Sequence, residues 1–332
     1  MAARRRGKKK SGRSYAWRYR GRIVACVFVE VIIICALVIM IGWNKGVKEW
    51  FEQFEQPVLK KVDISGINSP NAILMQARGG KILGEINGEA QIYPASMTKI
   101  MTVILGIENF DDLDEKITLT NEMFSGLYEQ DATQAGFQPG EEVRVIDLLY
   151  GAMLPSGAEC CIALADTISG SEADFAELMN KKAGKLGMEN THFCDSTGLH
   201  NPDHYSTVKD IAVLMKYCIK NDTFREIVET SRHSTGVTNI HPDGITYYST
   251  MFKNLSDPTV TGGKILGGKT GYTSEAGHCL VSFAEIEGRE YIFVSAGASG
   301  ADGNTIPHIQ DAVTVYNRVG AAIEEKMNDN NK

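Results

Sequence analysis

The stretch QIYPASMTKIMT, residues 91–102, combines the start of a helix with two polar side chains at helical spacing. Apolar residues recur every three or four positions after Pro94, which predicts an amphipathic helix over about 96–108. Ser96 and Lys99 lie one turn apart and would share a face of that helix. A serine hydroxyl becomes a strong nucleophile when a base takes its proton, and a lysine whose pKa is lowered by burial can act as that base. Ser96 and Lys99 are therefore candidates for a nucleophile and its base.

A second pair with the same spacing, Ser206 and Lys209 in HYSTVKDIA, shows that spacing alone does not identify a nucleophile. Serine and lysine are common residues, so a chain of this length contains about one such pair by chance. Thr207 and Asp210 predict a capping box at the start of a helix that runs to about residue 219. Ser206 is then interpreted as a residue at a helix start, and Lys209 as a solvated side chain of the first turn.

The order of short motifs along the chain separates the two pairs. Ser156, in LPSGAE, follows Ser96 by sixty residues, and the sequence KTG at 269–271 follows Ser156 by another 113. The elements S-x-x-K, S-x-N and K-T-G occur together in penicillin-binding proteins and class A β-lactamases. Only Ser96 can be the first element of this order, because Ser206 lies after Ser156.

Longer segments extend the likeness over roughly residues 65–300. The segments YPASMTKIMT, LLYGAMLPSGAE, THFCDSTGLHNPDHYST and GGKTGYTSEAGH resemble those of serine-type D-alanyl-D-alanine carboxypeptidases, which are low-molecular-mass penicillin-binding proteins. The resemblance implies the α/β (α+β) fold of serine β-lactamases and transpeptidases, an antiparallel sheet flanked by helices with a helical lobe. It also implies removal of the terminal D-alanine from peptidoglycan stem peptides through an acyl-enzyme, with β-lactam antibiotics as covalent inhibitors.

The roles of individual residues follow from the same resemblance. Ser96 would attack the carbonyl of the penultimate D-alanine, with Lys99 as its base, and Ser156 would relay a proton to the leaving D-alanine while Lys269 tunes the local charge. The backbone N–H groups of Ser96 and Tyr272 would form an oxyanion hole. The predicted catalytic residues are Ser96, Lys99, Ser156 and Lys269, and the predicted substrate-binding residues are Thr270, Gly271, Tyr272 and Ala158.

No cofactor or metal is implied by this chemistry. Cys194, His200 and His204 lie close together in CDSTGLHNPDH, but no CxxC or HExxH motif frames them as a zinc site. His204 and Asp195 are interpreted mainly as residues that hold the helical lobe together.

Two departures from the family pattern weaken the prediction of the substrate contacts. The second motif usually carries Asn at its third position, whereas this chain has Ala158 there, followed by Glu159. Some relatives place an Arg just after the last strand to hold the substrate carboxylate, whereas residues 295–304, SAGASGADGN, contain none. Two alternatives therefore stay open: a catalytically lapsed protein that binds peptidoglycan or a division complex, and a β-lactamase, for which Glu177 in AELMN stands in the wrong order.

The arrangement of predicted elements agrees with the implied fold. Two short apolar segments flank ARGGK at 77–81 and predict a β-hairpin. Residues 145–186 are mostly helical in pattern, with breaks at PSG and SGS. Strands are predicted at KILGGKTGYT, GHCLVSFAEI and EYIFVSAG, and a last helix is predicted over about 307–327. Because strands lie at both ends of the domain, we expect the early and late strands to meet in one antiparallel sheet.

An apolar run separates a basic head from an acidic remainder. Residues 1–22 carry ten Lys and Arg and no acidic residue, while the other 310 residues carry 24 Lys and Arg against 41 Asp and Glu, a net charge of −17. Such a domain is a poor nucleic-acid binder, because phosphate contacts need a basic face. The run between them, residues 23–42, contains one charged residue, Glu30, and is long enough to cross a bilayer as a helix.

The charge distribution predicts the orientation and the domain boundaries. The positive-inside rule places residues 1–22 in the cytoplasm as a basic tail. Residues 23–42 are then a transmembrane anchor, 43–65 a juxtamembrane linker, and 66–332 a D,D-peptidase catalytic domain outside the cytoplasm of a bacterial cell membrane protein. A cleaved signal peptide is the competing interpretation, but no A-x-A site follows the apolar run.

Overall fold

An antiparallel sheet of six strands joins segments from the two ends of the described chain. The structure is a computed structural model, and it describes residues 59–255, 257–300 and 306–330. The strands of the described residues are β1 Asn71–Gln76, β2 Ile82–Ile86, β3 Lys116–Thr118, β4 Glu142–Arg144, β5 Arg232–Ser234, β6 Thr246–Tyr248, β7 Thr259–Val260, β8 Gly263–Thr273, β9 Gly277–Ile286 and β10 Arg289–Ala298. The sheet has the order β2-β1-β10-β9-β8-β7. The antiparallel pairing of β1 with β10 confirms that early and late strands meet.

The hairpin predicted around residues 77–81 is formed by β1 and β2. Gly79 and Gly80 take φ values of +84° and +70° in its turn, a conformation that glycine adopts without steric cost. Residues 72–75 of β1 are all buried, so this strand is covered on both faces and shows no alternation of apolar and polar side chains.

Helices cover the two faces of the sheet. The helices of the described residues are a 3₁₀ turn Ala95–Thr98, α1 Lys99–Asn109, a 3₁₀ turn Glu122–Phe124, α2 Val145–Met153, α3 Ala158–Ser169, α4 Glu172–Leu186, α5 Val208–Cys218, α6 Asp222–Glu229, α7 Thr250–Asn254 and α8 Pro307–Asn330. Helix α1 is the centre of the helical lobe, since its first eight residues are buried and it contacts α2 to α6. Helix α8 packs on the opposite face, where the Tyr316 hydroxyl accepts the backbone N–H of Phe293 at 3.1 Å.

Local capping explains where the central helices begin and end. The predicted breaks at PSG and SGS separate α2, α3 and α4, and Ser171 caps α4 by accepting the N–H of Asp174 at 3.1 Å. The Thr207 hydroxyl caps α5 by accepting the N–H of Asp210 at 3.0 Å, which confirms the predicted start of this helix. Helices α6 and α7 and the two-stranded pairs β3–β4 and β5–β6 were not predicted from the sequence.

The N-terminal predictions fall mostly outside the described residues. The basic tail over 1–22, the apolar run over 23–42 and the first part of the linker over 43–65 lie there. Leu59 and Val62, in the last part of that linker, are buried in the core against the sheet. Among the described helices, none combines the length and the apolar character needed to cross a bilayer.

Candidate active site

Three elements meet where the helical lobe joins the six-stranded sheet. The 3₁₀ turn before α1 carries Ser96, the loop between α2 and α3 carries Ser156, and β8 carries the sequence 269–271. Strand β8 packs directly against the 3₁₀ turn. The structure thus brings together the three motifs that are sixty and 113 residues apart in sequence.

Ser96 and Lys99 form one hydrogen-bonded pair. The Lys99 Nζ lies 3.0 Å from the Ser96 Oγ, and it donates to the Thr197 carbonyl oxygen at 2.7 Å. Lys99 is 3 % exposed, whereas Ser96 is only partly buried and so can be reached from the cleft. The carbonyl of Thr197, 98 residues away in sequence, therefore holds the amine next to the hydroxyl.

Burial changes the acidity of the Lys99 amine. Desolvation lowers the pKa of the Lys99 amine below its ordinary value of 10.5, although the nearby Asp195 and Glu159 carboxylates oppose this shift. A lower pKa raises the fraction of neutral amine at neutral pH, and only the neutral amine can accept a proton. This pair can activate a serine nucleophile.

Ser156 and Lys269 form a second pair beside the first. The Lys269 Nζ donates to the Ser156 Oγ at 3.0 Å and to the Thr270 carbonyl oxygen at 2.8 Å. Burial, and then the charge of Lys99, lower the pKa of the Lys269 amine well below its ordinary value. Ser156 has a φ of +75°, a left-handed conformation that costs of order 1–3 kcal/mol in a residue other than glycine. Strain of this kind concentrates at functional sites, where surrounding contacts maintain it.

Gly271 allows β8 to approach Ser96 closely. A Cβ at this position would lie 3.0 Å from the Ser96 backbone N, 3.1 Å from the Ala95 Cβ and 3.2 Å from the Pro94 carbonyl oxygen. The backbone of β8 can therefore lie directly beside the backbone of residues 94–96 only because residue 271 has no side chain.

Replacing Gly271 with alanine is expected to slow acylation of Ser96 by a β-lactam about tenfold to a hundredfold, because the new methyl group displaces the 3₁₀ turn. The measurement is the acylation rate followed by intact-protein mass. Gly184→Ala is the matched control, because a Cβ at Gly184 meets no atom within 4 Å. Equal acylation rates for Gly271→Ala and the wild type would contradict this expectation.

The other predicted substrate-binding residues differ in their accessibility. Tyr272 is 61 % exposed at the rim of the cleft and lies 4.7 Å from the His278 ring, centroid to centroid. The Thr270 hydroxyl is partly buried and lies 2.7 Å from the Thr250 hydroxyl. Ala158 is 1 % exposed, and its backbone N–H donates to the Thr133 carbonyl oxygen at 2.8 Å. Among these residues, Thr270 and Tyr272 are accessible to solvent, whereas Ala158 is buried.

Glu159, which follows Ala158, is bonded to the backbone of a neighbouring loop. Its Oε1 accepts the backbone N–H groups of Ala135 at 2.6 Å and Gly136 at 2.9 Å. The side chain is fully buried, and burial raises the pKa of its carboxyl group. Glu159 therefore fastens the 133–137 loop to the start of α3, and the structure gives no sign that it replaces the missing amide.

Ser206 and Lys209, the second serine–lysine pair, do not bond to each other but to separate structural partners. Ser206 is completely buried, and its Oγ lies 2.8 Å from the Thr191 Oγ1. Lys209 forms an ion pair with Glu89 on the surface. The two side chains of the pair thus have separate partners, which agrees with their interpretation from sequence.

His204 and Asp195, interpreted from sequence as residues that hold the helical lobe together, form a hydrogen-bonded network next to Lys99. His204 lies 2.9 Å from the Thr98 hydroxyl through Nε2 and 3.0 Å from the Asp195 carboxylate through Nδ1. Asp195 also accepts the N–H of Thr197 at 2.7 Å, so it fixes the carbonyl that holds Lys99. Burial raises the pKa of Asp195, but the His204 and Thr197 contacts outweigh it and lower this pKa to about 2. Asp195 therefore stays ionised at neutral pH.

The remaining sequence candidates do not gather into a site. Within residues 59–255, 257–300 and 306–330, no group of three or more His, Cys, Asp or Glu side chains is placed to hold a metal ion. Glu177, the glutamate considered for a β-lactamase, lies exposed within the continuous helix α4.

Comparisons with known proteins agree on one family. A family model described as D-alanyl-D-alanine carboxypeptidase matches residues 58–300. The D-alanyl-D-alanine carboxypeptidase DacF of Bacillus subtilis is 35% identical over 231 residues, which cover 69% of this chain and 57% of that protein. The D-alanyl-D-alanine carboxypeptidase DacC of Escherichia coli is 33% identical over 262 residues, covering 71% of this chain and 58% of that protein. The chain thus spans little more than half the length of these two curated relatives.

A solved structure shows the same architecture. The crystal structure of the Streptomyces K15 DD-transpeptidase superposes with a TM-score of 0.69 at 29% sequence identity. The match covers 81% of this chain and 99% of that one, so it includes the sheet and the helical lobe together.

Proposed function

The chain belongs to the D-alanyl-D-alanine carboxypeptidase family, and from this premise we propose that it is a serine D,D-carboxypeptidase that removes the terminal D-alanine from peptidoglycan stem peptides. The observation that carries the proposal is the convergence of two hydrogen-bonded pairs, Ser96 with Lys99 and Ser156 with Lys269, in one cleft. Both lysines are buried, so both pairs are suited to proton transfer.

Acylation begins at Ser96. Neutral Lys99 takes the hydroxyl proton as Ser96 Oγ attacks the carbonyl carbon of the penultimate D-alanine. The developing oxyanion lies between the backbone N–H groups of Ser96 and Tyr272, and each such donor supplies a few kcal/mol of transition-state stabilisation. Gly271 makes this arrangement possible by letting β8 approach the 3₁₀ turn.

The second pair serves the leaving group. Collapse of the tetrahedral intermediate breaks the C–N bond, and the amine of the departing D-alanine must gain a proton. Ser156 relays this proton: its hydroxyl proton passes to the amine and is replaced by the proton that Lys99 took from Ser96, so Lys99 becomes neutral again. Lys269 donates a hydrogen bond to the Ser156 hydroxyl oxygen at 3.0 Å. The Thr270 hydroxyl meets the terminal carboxylate of the substrate. Water then hydrolyses the acyl-enzyme, with Lys99 as the base for this step also.

A β-lactam inhibits the enzyme by imitating the substrate amide. Attack by Ser96 opens the lactam ring, and the leaving nitrogen stays attached to the acyl group. The acyl-enzyme therefore persists. Ala158 stands where relatives carry an amide side chain and is 1 % exposed, so the chain contributes fewer polar contacts to the substrate peptide.

The location follows from the basic head and the apolar run. Residues 23–42 anchor the protein in a bacterial cell membrane, with residues 1–22 in the cytoplasm and the catalytic domain over 66–332 on the outer side. This orientation brings the cleft to the compartment that holds peptidoglycan. No nucleic acid partner and no cofactor are part of the proposal.

The test is covalent labelling by a penicillin. The protein, incubated with benzylpenicillin and examined by intact mass and peptide mapping, is expected to carry one adduct on Ser96. Release of D-alanine from a stem pentapeptide is then expected to follow. A folded protein that forms no adduct would overturn the proposal and favour a lapsed peptidoglycan-binding protein. Rapid turnover of the penicillin without D-alanine release would indicate a β-lactamase.

A further inference from the structure

The Thr270 hydroxyl has a partner that neither the motif pattern nor the proposed mechanism includes. Its Oγ1 lies 2.7 Å from the Oγ1 of Thr250, the first residue of α7. Both side chains are only partly buried, so the pair can be reached from solvent. Building on the proposed function, we propose that Thr250 is a positioning residue for the substrate carboxylate and acts through the Thr270 hydroxyl.

The backbone of Thr250 is held from two sides. Its N–H donates to the Leu154 carbonyl oxygen at 3.0 Å, two residues before Ser156. Its carbonyl oxygen accepts the side-chain amide of Asn254 at 2.7 Å. Ser249 caps the same short helix by accepting the N–H of Phe252. Thr250 therefore links the loop that carries Ser156 to the strand that carries Lys269 and Thr270, and its hydroxyl is fixed before any ligand binds.

The direction of the hydrogen bond follows from the ligand. A carboxylate can only accept hydrogen bonds, so Thr270 must donate its proton to the substrate. Its oxygen is then free to accept, and Thr250 is the hydroxyl within reach. A donor that itself accepts a hydrogen bond is polarised and donates more strongly. The relay thus runs from Thr250 to Thr270 to the carboxylate.

This relay matters because the chain lacks the arginine that some relatives use for the carboxylate. Residues 295–304 contain no Arg or Lys. Recognition by two aligned hydroxyls is weaker than recognition by a guanidinium group, but it still distinguishes an acid from its ester, which cannot present a carboxylate. Thr250 therefore determines part of the selectivity for peptides that end in a free carboxylate.

The experiment compares acylation of Ser96 by benzylpenicillin and by its methyl ester, which lacks the free carboxylate. The Thr250→Val variant keeps the β-branched shape and removes the hydroxyl. We expect it to lower the acid-over-ester preference roughly fivefold to tenfold, as one lost neutral hydrogen bond does. Thr250→Ser restores the hydroxyl and is expected to restore the preference. A preference in Thr250→Val equal to that of the wild type would overturn the inference.

Two further comparisons separate positioning from a general structural effect. Thr246→Val is the matched control, since it breaks the hydroxyl pair of Ser234 and Thr246, 2.9 Å apart on the β5–β6 hairpin, and should leave the preference unchanged. The double variant Thr250→Val with Thr270→Val is expected to match Thr270→Val alone, because Thr250 acts through Thr270. Additive losses would overturn the relay.

The proposed function is tested separately in the same samples. Release of D-alanine from a stem pentapeptide, with kcat and KM determined, is expected to show a rise in KM in Thr250→Val with little change in kcat. A wild-type protein that is acylated but releases no D-alanine would overturn the carboxypeptidase activity. The acid-over-ester preference would still decide the role of Thr250.

Discussion

A Ser96→Ala variant is expected to form no penicillin adduct and to release D-alanine at less than about a thousandth of the wild-type rate, because no other group can form the acyl-enzyme. Ser96 is partly accessible and 3.0 Å from the Lys99 amine, whereas Ser156, at the same distance from the Lys269 amine, is buried with 6 % exposure. The residual rate would come from binding and the oxyanion hole alone. Intact mass after incubation with benzylpenicillin and a coupled assay for D-alanine are the two measurements.

The second serine–lysine pair supplies the matched control for this variant. Ser206→Ala removes a serine at the same spacing from a lysine, but its side chain bonds Thr191 in the interior and lies outside the cleft. We expect Ser206→Ala to be labelled at the wild-type rate, with a modest loss of stability from the lost hydrogen bond between Ser206 and Thr191. An adduct in Ser96→Ala, or its loss in Ser206→Ala, would mean that the nucleophile has been misassigned.

The sequence predicted those parts of the site that depend on short-range patterns. The spacing of Ser96 and Lys99 follows from one turn of helix, and the order of the three motifs excluded Ser206 without any structural information. The antiparallel sheet was predictable for a similar reason, since hairpin turns such as residues 77–81 define the direction of neighbouring strands.

The contacts that sequence reasoning missed join residues far apart in the chain. Thr197 reaches Lys99 across 98 positions, and it does so through its carbonyl oxygen, which every residue type provides. Thr250 meets Thr270 through a five-residue helix that has no apolar period of its own. The φ of +75° at Ser156 could not be predicted from the sequence either, because this conformation is normally adopted by glycine. Packing between elements sets all three features.

A Lys99→Met variant is expected to lower the acylation rate about a hundredfold to ten-thousandfold, the usual contribution of a positioned general base. Methionine fills a similar volume in the buried site but cannot accept a proton, and it leaves the Thr197 carbonyl without its donor. Lys99→Arg keeps the positive charge and cannot lose it, so this variant is expected to be equally slow. Lys209→Met, which removes the surface partner of Glu89, serves as the control and should retain the wild-type rate.

The pH profile distinguishes a base from a merely structural lysine. Because burial lowers the pKa of Lys99, the wild-type acylation rate is expected to rise with pH as the amine loses its proton. It should level off at a pH below 10.5, the ordinary value for lysine. The residual rate of Lys99→Met should lack this rise, since its side chain does not titrate. If the methionine variant instead kept the wild-type profile at a uniformly lower rate, the titrating base would be another group, and the pair of Ser156 and Lys269, whose amine also has a lowered pKa, would be the one to examine.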